Sequence, residues 1–117
     1  MVGIILDTNF LLLPYSIHLD SELERLFGAY TLHIVQATLH ELDTLSVQDK
    51  KKALMFITKK NIDIINGQGT YADDAIVQAC TQQAYVVATQ DKLLKKRLKE
   101  MGITVVGIRA KQYITIQ

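Results

Sequence analysis

Apolar residues along this chain fall into two alternating patterns. Short, mainly apolar runs, typical of strands that are covered on both faces, occupy residues 2–6, 32–35, 62–65, 85–88, 103–108 and 113–116. Between them, apolar residues recur at helical spacing, which predicts helices over residues 20–27, 38–45, 53–60, 71–83 and 92–101. Strands that alternate with helices form right-handed, doubly wound parallel sheets. We therefore expect an α/β fold in which the last strand lies at an edge.

Four acidic residues lie where an apolar run ends or where the next helix begins. They are Asp7, Glu41, Asp73 and Asp91. Because open α/β sheets bind ligands at the carboxyl ends of their strands, we expect these side chains at one sheet edge. Carboxylates gathered there repel one another unless a cation lies between them, and a hard divalent cation prefers oxygen ligands. The pattern indicates a metal-dependent phosphodiesterase.

Helix capping offers a structural alternative for the two acids that follow strands. Asp7 has the position of an N-cap, but Thr8 or Asn9 would cap the next helix equally well. A charge embedded in an apolar run needs a partner, so the metal interpretation is favoured for Asp7. Asp91 also has an N-cap position, and Thr89 is placed to orient a ligating carboxylate or a bound water.

The two acids inside predicted helices have the spacing of capping boxes. Thr38 stands three residues before Glu41, and Thr70 stands three residues before Asp73. Taken alone, the capping box explains Glu41 without any function. Helical periodicity places Asp73 beside the buried stripe of its helix and Asp74 nearly opposite, facing solvent or a supporting partner.

Composition is that of a folded intracellular domain. The chain has 117 residues, of which 49% are apolar, and predicts one domain over residues 1–117. The lone Cys80, expected to serve packing, excludes an internal disulfide and a cysteine zinc site. Polar residues 7–9 interrupt the apolar start, so neither a signal peptide nor a membrane span is expected. The three histidines are scattered and are read as ordinary surface or core residues: His18, His33 and His40. A cytoplasmic location is the simplest expectation.

Charge is distributed unevenly along the chain. Residues 1–49 hold one Arg against seven acids, whereas residues 92–117 hold seven Lys or Arg against Glu100 alone. A basic stripe beside an acidic centre suits a polyanionic substrate that is cut at a cation. A solvated helix face is the structural alternative. The run at residues 50–52, which precedes a predicted helix, is interpreted as solvated lysines.

Taken together, the motifs resemble those of the PIN-domain ribonucleases. They are LDTNFLL at residues 6–12, the helical Glu41, YADD at residues 71–74 and ATQD at residues 88–91. The second half of the chain is most similar to the subgroup that contains the eukaryotic endonuclease of small-subunit ribosomal RNA processing and its archaeal single-domain relatives.

The resemblance implies a three-layer α/β/α sandwich with four or five parallel strands, frequent dimerisation and metal-dependent hydrolysis of RNA, with ribosomal RNA maturation as one candidate role. Unpaired RNA is favoured as the substrate, because a deep duplex groove would hide the backbone from a recessed site. It implies that Mg²⁺ or Mn²⁺ is bound by Asp7, Glu41, Asp73 and Asp91. Supporting positions near these acids are expected to be Asn9, Thr89 and Asp74. Flanking phosphates are expected to contact Lys95, Lys96, Arg97 and Lys99.

Other functions remain open from the sequence. A toxin ribonuclease paired with an antitoxin is one, although no segment clearly supplies an antitoxin groove. A catalytically silent domain that binds RNA or protein within an assembly, such as an assembling ribosome, is another. A phosphoacceptor receiver domain is disfavoured, because it needs paired acids after the first strand and a Lys after the last core strand.

Overall fold

A mostly parallel β-sheet forms the centre of the molecule. The structure is a computed structural model that describes residues 1–14, 16–66 and 71–117. Within these residues the strands are β1 (Val2–Leu6), β2 (Tyr30–Val35), β3 (Asp63–Ile65), β4 (Tyr85–Ala88), β5 (Val105–Arg109) and β6 (Tyr113–Ile116). They pair in the order β3-β2-β1-β4-β5-β6. All neighbours are parallel except β5 and β6.

Helices cover both faces of this sheet. They are α1 (Leu19–Phe27), α2 (Gln36–Glu41), α3 (Val47–Lys59), α4 (Ala72–Gln82) and α5 (Lys92–Glu100), with short 3-10 helices at Thr8–Leu11 and Leu42–Thr44. Among the described residues, no helix combines the length and the apolar character that crossing a bilayer requires.

The central strands are buried on both faces, which explains their continuous apolar sequences. Ile4 and Leu6 belong to one core cluster, together with residues of α1 and α3. Ile5 belongs to a second cluster on the opposite face, where α4 and α5 pack. All three side chains are fully buried. The expected three-layer α/β/α sandwich is confirmed.

Strand β6 extends the expected sheet by one antiparallel strand. The sheet has five parallel strands within the described residues, as expected, and β6 pairs with β5 through a register that places Ile114 opposite Ile108. The chain reverses at Ala110 and Lys111, which both have φ of 55°. The prediction that residues 113–116 form an edge strand is confirmed.

Chain order reverses across the pair β1–β4. The chain proceeds from β1 to β2 and β3 on one side, and from β4 to β5 on the other. Such a reversal leaves a crevice at the carboxyl ends of the two central strands, where ligands bind in open α/β sheets. Leu6 pairs with Ala88 at that end, and the Asp7 N–H donates to the Ala88 carbonyl at 3.0 Å. The crevice therefore lies where two of the four acids were expected.

Three helices match their predicted limits to within one residue at each end, whereas α2 and α3 differ by more. Helix α3 begins at Val47, because the Ser46 hydroxyl caps it by accepting from the Asp49 N–H at 3.1 Å. The lysines at residues 50–52 therefore lie inside the helix and not before it, which corrects the predicted start of the helix, and Lys51 and Lys52 are exposed as expected. The helix predicted over residues 38–45 is divided into α2 and the 3-10 helix that follows.

The capping box proposed for Glu41 is absent. Helix α2 begins at Gln36 with Val35 as its N-cap, so Thr38 lies inside the helix and Glu41 is its last residue. The alternative explanation of Glu41 as a capping residue was wrong. The corresponding box at Asp73 would use Thr70, which lies outside the described residues together with residues 67–69 of the predicted loop.

Cys80 lies on the buried side of α4, as its position in the apolar stripe predicts. It is 8% exposed and belongs to the core cluster on that face. Burial raises the pKa of its thiol to about 11. The expected packing role of Cys80 is confirmed.

Candidate active site

Asp7 occupies the crevice between β1 and β4 and makes two different contacts. Its Oδ1 accepts a hydrogen bond from the Thr8 N–H at 2.9 Å, which caps the 3-10 helix that follows β1. Its Oδ2 accepts from the Thr89 hydroxyl at 2.7 Å. The capping alternative is therefore realised, and the same carboxylate is also fixed from β4. Capping leaves lone pairs on both oxygens.

Thr89 connects two of the acids across the sheet. It follows β4 and is fully buried. Its hydroxyl donates to Asp7 and accepts from the Asp91 N–H at 3.1 Å. The exposed Asp91 then caps α5, with Oδ1 accepting from the Leu94 N–H at 2.9 Å. The start of α5 and the end of β4 are thereby held at a fixed distance from Asp7.

Thr8 connects a third acid to the same network. Its hydroxyl donates to Oε2 of Glu41 at 2.9 Å, while its N–H donates to Asp7. The side chains of Glu41, Thr8, Asp7 and Thr89 and the backbone of Asp91 thus form one continuous series of hydrogen bonds, here called the threonine chain. Sequence reasoning treated Thr8 only as a possible cap. Its position directly after the strand-end Asp7 was a signal that it lies at the same sheet edge.

Asp73 and Asp74 lie in the first turn of α4 and share one cation. Nη1 of Arg97, from α5, lies 2.9 Å from Oδ1 of Asp74 and 3.7 Å from Oδ2 of Asp73. Their side chains are 50% and 51% exposed, so the contrast expected from periodicity is not observed. Side chains in a helix tilt towards its N-terminus. In the first turn no earlier turn lies between two such side chains, so they can approach the same group. Both carboxylates can therefore reach the same guanidinium.

The four expected acids are of the type that a hard divalent cation prefers, but the described side chains are not grouped into a ligand set. Carboxylate oxygens are the ligands that Mg²⁺ prefers, and the guanidinium on Asp73 shows that this carboxylate already attracts a positive charge. Within residues 1–14, 16–66 and 71–117, no three side chains of His, Cys, Asp or Glu are grouped so that they could hold a metal ion. The structure links Asp7, Glu41 and Asp91 through the threonine chain and pairs Asp73 with Arg97.

The expected supporting and RNA-binding residues differ in availability. Asn9 is exposed in the 3-10 helix after β1. Along α5, Lys96 and Lys99 are exposed, whereas Lys95 hydrogen-bonds to Gln117 through its ammonium group. Arg97 is held by the two acids of α4. Of the four expected RNA-binding residues, Lys96 and Lys99 are therefore the exposed ones that lie outside these contacts.

A wide groove lies apart from the threonine chain. Its volume is about 1590 Å³, and none of the four acids lines it. One wall is α3, where Val47 and Met55 are 86% and 63% exposed. The other wall includes Leu13, Pro14 and Ile17. This groove is a surface feature that the sequence did not predict.

Comparisons with known proteins agree with this fold. The family model described as a PIN like domain matches residues 4–111. Ribonuclease VapC4 of Methanocaldococcus jannaschii is 33% identical, over 99% of this chain and 97% of that protein. The mouse rRNA-processing protein FCF1 homolog is 31% identical over 94% of this chain, which spans only 59% of its length. A solved structure of the PIN domain endonuclease Utp24 is 31% identical, with a TM-score of 0.83, and covers 98% of this chain and 90% of its own.

Proposed function

Since the chain belongs to the PIN-like domain family, we propose that it is a metal-dependent endoribonuclease that cuts unpaired RNA. The family match covers residues 4–111. Support for ribonuclease activity comes from the names of two relatives, a ribonuclease and an endonuclease, each similar over almost all of this chain. Unpaired RNA is the proposed substrate, because single strands expose their backbone to a half-buried carboxylate more readily than duplexes do.

The threonine chain is the observation on which this proposal rests. It brings side-chain oxygens of Asp7 and Glu41, and the helix cap Asp91, to the carboxyl ends of β1 and β4. Structural caps alone do not require a hydrogen bond between Thr8 and Glu41, which are 33 residues apart. Two buried or half-buried hydroxyl groups that both orient acids are typical of a site whose carboxylates must keep a fixed direction.

We assign the cation to Asp7, Glu41, Asp73 and Asp91, with Mg²⁺ or Mn²⁺ as the ion. When bound, such a cation neutralises phosphate charge and makes a water molecule more acidic. The chain's own residues orient the ligands: Thr89 fixes the direction of the Asp7 carboxylate, and Thr8 fixes that of the Glu41 carboxylate. Lys96 and Lys99 hold phosphates that flank the cut, so the affinity for RNA is expected to fall as salt rises.

An assay on labelled RNA tests this function. Wild-type protein is incubated with single-stranded and structured RNA, with Mg²⁺, with Mn²⁺ or with a chelator. We expect cleavage that requires the metal and that falls more than about 100-fold in Asp7→Asn and in Asp73→Asn, since even supporting residues of metal sites contribute about 10–100-fold. Undiminished metal-dependent cleavage by folded Asp7→Asn would contradict the assignment.

A matched control uses an acid outside the proposed site. Asp49 is exposed in the first turn of α3, and its N–H is already held by Ser46. Asp49→Asn removes the same charge and leaves the threonine chain intact, so cleavage by this variant is expected to equal that of wild type. Unfolding temperatures of all variants are measured to separate lost activity from lost structure.

The biological role is proposed from the relatives. Similarity to rRNA-processing proteins suggests ribosomal RNA maturation within an assembling particle, although this chain spans only 59% of the mouse relative. A toxin ribonuclease held by an antitoxin is the second candidate, and one observation favours it: the groove of about 1590 Å³ beside α3 carries the exposed apolar side chains of Val47 and Met55. RNA cut in cells distinguishes the two roles, since precursor ribosomal RNA is the substrate for only the first.

A catalytically silent domain is distinguished by the response to metal. Binding to the folded state raises the unfolding temperature by mass action. A protein that is stabilised by Mn²⁺ and cleaves RNA is active, whereas one that does neither is the silent binding module. A homodimer remains a proposal from the family resemblance, and sedimentation in solution measures it.

A further inference from the structure

We propose that the face of β5 and β6 beside α5 binds an unpaired nucleotide of the RNA strand that reaches the threonine chain. Tyr113 stacks on the base, and Arg109 and Lys111 contact its phosphates. This face is here called the hairpin surface, and it consists of Gln90, Gly107, Arg109, Lys111, Tyr113 and Gln117. The inference rests on the proposed function, because it takes RNA as the ligand.

The hairpin surface begins where β4 and the threonine chain end. Beyond β4, the Thr89 N–H donates to the Val106 carbonyl of β5 at 3.1 Å. Gln90 then takes the place of a strand residue, since its Oε1 accepts from the Ile108 N–H at 2.7 Å. Gln90 lies between Thr89 and Asp91 in the chain. The hairpin surface is therefore continuous with residues that orient the proposed active site.

A glycine lets two carboxamide groups lie over the sheet at this place. A Cβ on Gly107 would lie 2.7 Å from Oε1 of Gln90 and 2.7 Å from Nε2 of Gln117, too close for such atoms. Lys95 of α5 donates to Oε1 of Gln117. Within the described residues Nε2 of the exposed Gln90 donates to no protein group, so it keeps two donors. Such donors bind the edges of unstacked bases.

Tyr113 and Arg109 form a cross-strand pair on the same side of the sheet. Val105 of β5 packs into the core cluster beside α4 and α5. Alternate residues of a strand share a face, so Arg109 lies on the α5 side of the sheet. Tyr113 pairs with Arg109 and lies on that side too, 42% exposed. An exposed ring beside a cation is suited to stack on a base while the phosphate is held.

The turn between β5 and β6 holds two side chains in a conformation that L residues rarely adopt. Ala110 and Lys111 both have φ of 55°, and the Gln112 N–H donates to the Arg109 carbonyl at 3.2 Å. Glycine or asparagine is favoured at such positions. Strained residues of this kind cluster at ligand contacts. A lysine at this position is consistent with a role for its charge in binding.

The cations of the hairpin surface have no acidic partner. Residues 101–117 contain Arg109 and Lys111 and no Asp or Glu. In the part of the chain that the structure describes, neither cation takes part in an ion pair, whereas Arg97 is held by two acids. Such cations attract phosphates. Together with an exposed ring and a carboxamide donor, they favour an RNA strand, whose bases stack, over an acidic protein segment.

Fluorescence anisotropy of a labelled single-stranded oligoribonucleotide tests the proposal. The full chain is titrated in a chelator, so neither metal nor cleavage contributes. Tyr113→Leu is expected to weaken binding about five- to tenfold, the lower part of the range for base stacking. Tyr113→Phe keeps the ring and should bind like wild type. Lys111→Asn should weaken binding and make the plot of log affinity against log salt shallower by about 0.7, the value for one phosphate of a single strand.

Two controls separate binding from folding and from general charge. Lys51 is exposed on α3, outside the hairpin surface, so Lys51→Gln removes an equal charge and should stay near wild type. Asparagine adopts positive φ more readily than lysine. Lys111→Asn should therefore unfold at the same or a higher temperature than wild type while it binds RNA more weakly. A purely structural role of Lys111 would lower both values together.

The outcomes distinguish this inference from the proposed function. If Tyr113→Leu binds RNA as tightly as wild type, the hairpin surface is overturned and metal-dependent cleavage is untouched. If binding depends on Tyr113 but the wild type never cleaves RNA with Mg²⁺ or Mn²⁺, the hairpin surface is supported and the proposed function falls. Displacement of the RNA by an equal concentration of polyglutamate peptide would assign the surface to an acidic protein partner and overturn the inference.

Discussion

Two threonines of this protein are equally buried but differ in what their hydroxyl groups contact. Thr38 and Thr89 are both 0% exposed. The hydroxyl of Thr89 donates to Asp7 and accepts from the Asp91 N–H. That of Thr38 has no hydrogen-bond partner among the described residues. Because a buried polar group costs free energy unless it is paired, the same substitution should have opposite consequences at the two positions.

Thr89→Val is expected to lower the free energy of unfolding by about 1–3 kcal/mol. Valine has the shape of threonine, so packing is kept, but Asp7 loses a donor and the Asp91 N–H loses an acceptor. Urea denaturation measures the change. Metal-dependent cleavage should fall as well, because the direction of Asp7 is no longer fixed. Thr89→Ser keeps the hydroxyl and should recover most of the cleavage.

Thr38→Val is the matched control for that experiment. This substitution removes a hydroxyl with no partner in the described part of the chain, so stability should be unchanged or slightly increased. An equal loss of stability in both valine variants would show that the hydrogen bonds of Thr89 contribute nothing specific.

At the scale of an element, helix α3 shows that apolar periodicity does not locate the start of a helix whose first turns are polar. Residues 48–52 are all polar, so apolar spacing begins only at Ala53. The helix nevertheless starts at Val47, because Ser46 caps it and Asp49 lies in its first turn, where an acid interacts favourably with the helix dipole. These local signals were available in the sequence.

Ser46→Ala is expected to lower the free energy of unfolding by about 0.5–2 kcal/mol. The substitution removes the acceptor of the Asp49 N–H and leaves the helix start uncapped. Thermal unfolding followed by circular dichroism measures the loss. Ser46→Asn, which retains a capping oxygen, should stay near wild type; a full loss in that variant would locate the effect elsewhere than in the cap.

At the scale of the whole molecule, hydrogen bonds from an ion pair of α1 connect this helix to the edge strand β6. Glu22 accepts from the Ile114 N–H at 2.9 Å, and Arg25 donates to the Ile114 carbonyl at 2.9 Å. Glu22 and Arg25 also pair with each other at 3.2 Å. The hydrogen bond from Arg25 and that from the Ile114 N–H lower the pKa of Glu22 from its ordinary value of 4.5. The contact therefore depends on an ionised Glu22.

This arrangement predicts loss of stability in acid. A carboxyl group whose pKa is lower in the folded than in the unfolded state stabilises the fold above its unfolded value, and this stabilisation is lost as pH falls through the folded value. The pKa of Asp20 is also lowered: burial opposes the shift, but hydrogen bonds from Lys60 and Tyr30 outweigh it. Urea denaturation at stepwise lower pH should show decreasing stability below about pH 4.5, the ordinary value for Glu22.

Glu22→Gln is the control for the acid experiment. Glutamine keeps an oxygen that accepts from the Ile114 N–H but does not titrate. Its stability should be lower than that of wild type at neutral pH, and the dependence on pH below 4.5 should be weaker. An unchanged pH dependence would assign the acid sensitivity to other carboxyl groups.

The sequence by itself determined the order of strands and helices, the edge position of residues 113–116 and the family, because apolar spacing and short motifs are local properties. Strands β1, β4 and β6 have the limits that their apolar runs predicted. Chain proximity also sufficed to place Asp7 and Asp91 at helix starts. These features depend on neighbours within a few positions of each other.

Tertiary structure alone decided which side chains meet. Thr8 and Glu41 are 33 residues apart, and Asp7 and Thr89 are 82 apart, yet each pair is joined by a hydrogen bond. Their meeting requires β1 to lie beside β4 and α2 to end over the same crevice. The pairing of Asp73 with Arg97 likewise depends on how α4 packs against α5. A one-dimensional pattern carries the type of each residue, whereas distances of about 3 Å between remote atoms are set only when the sheet and its helices pack.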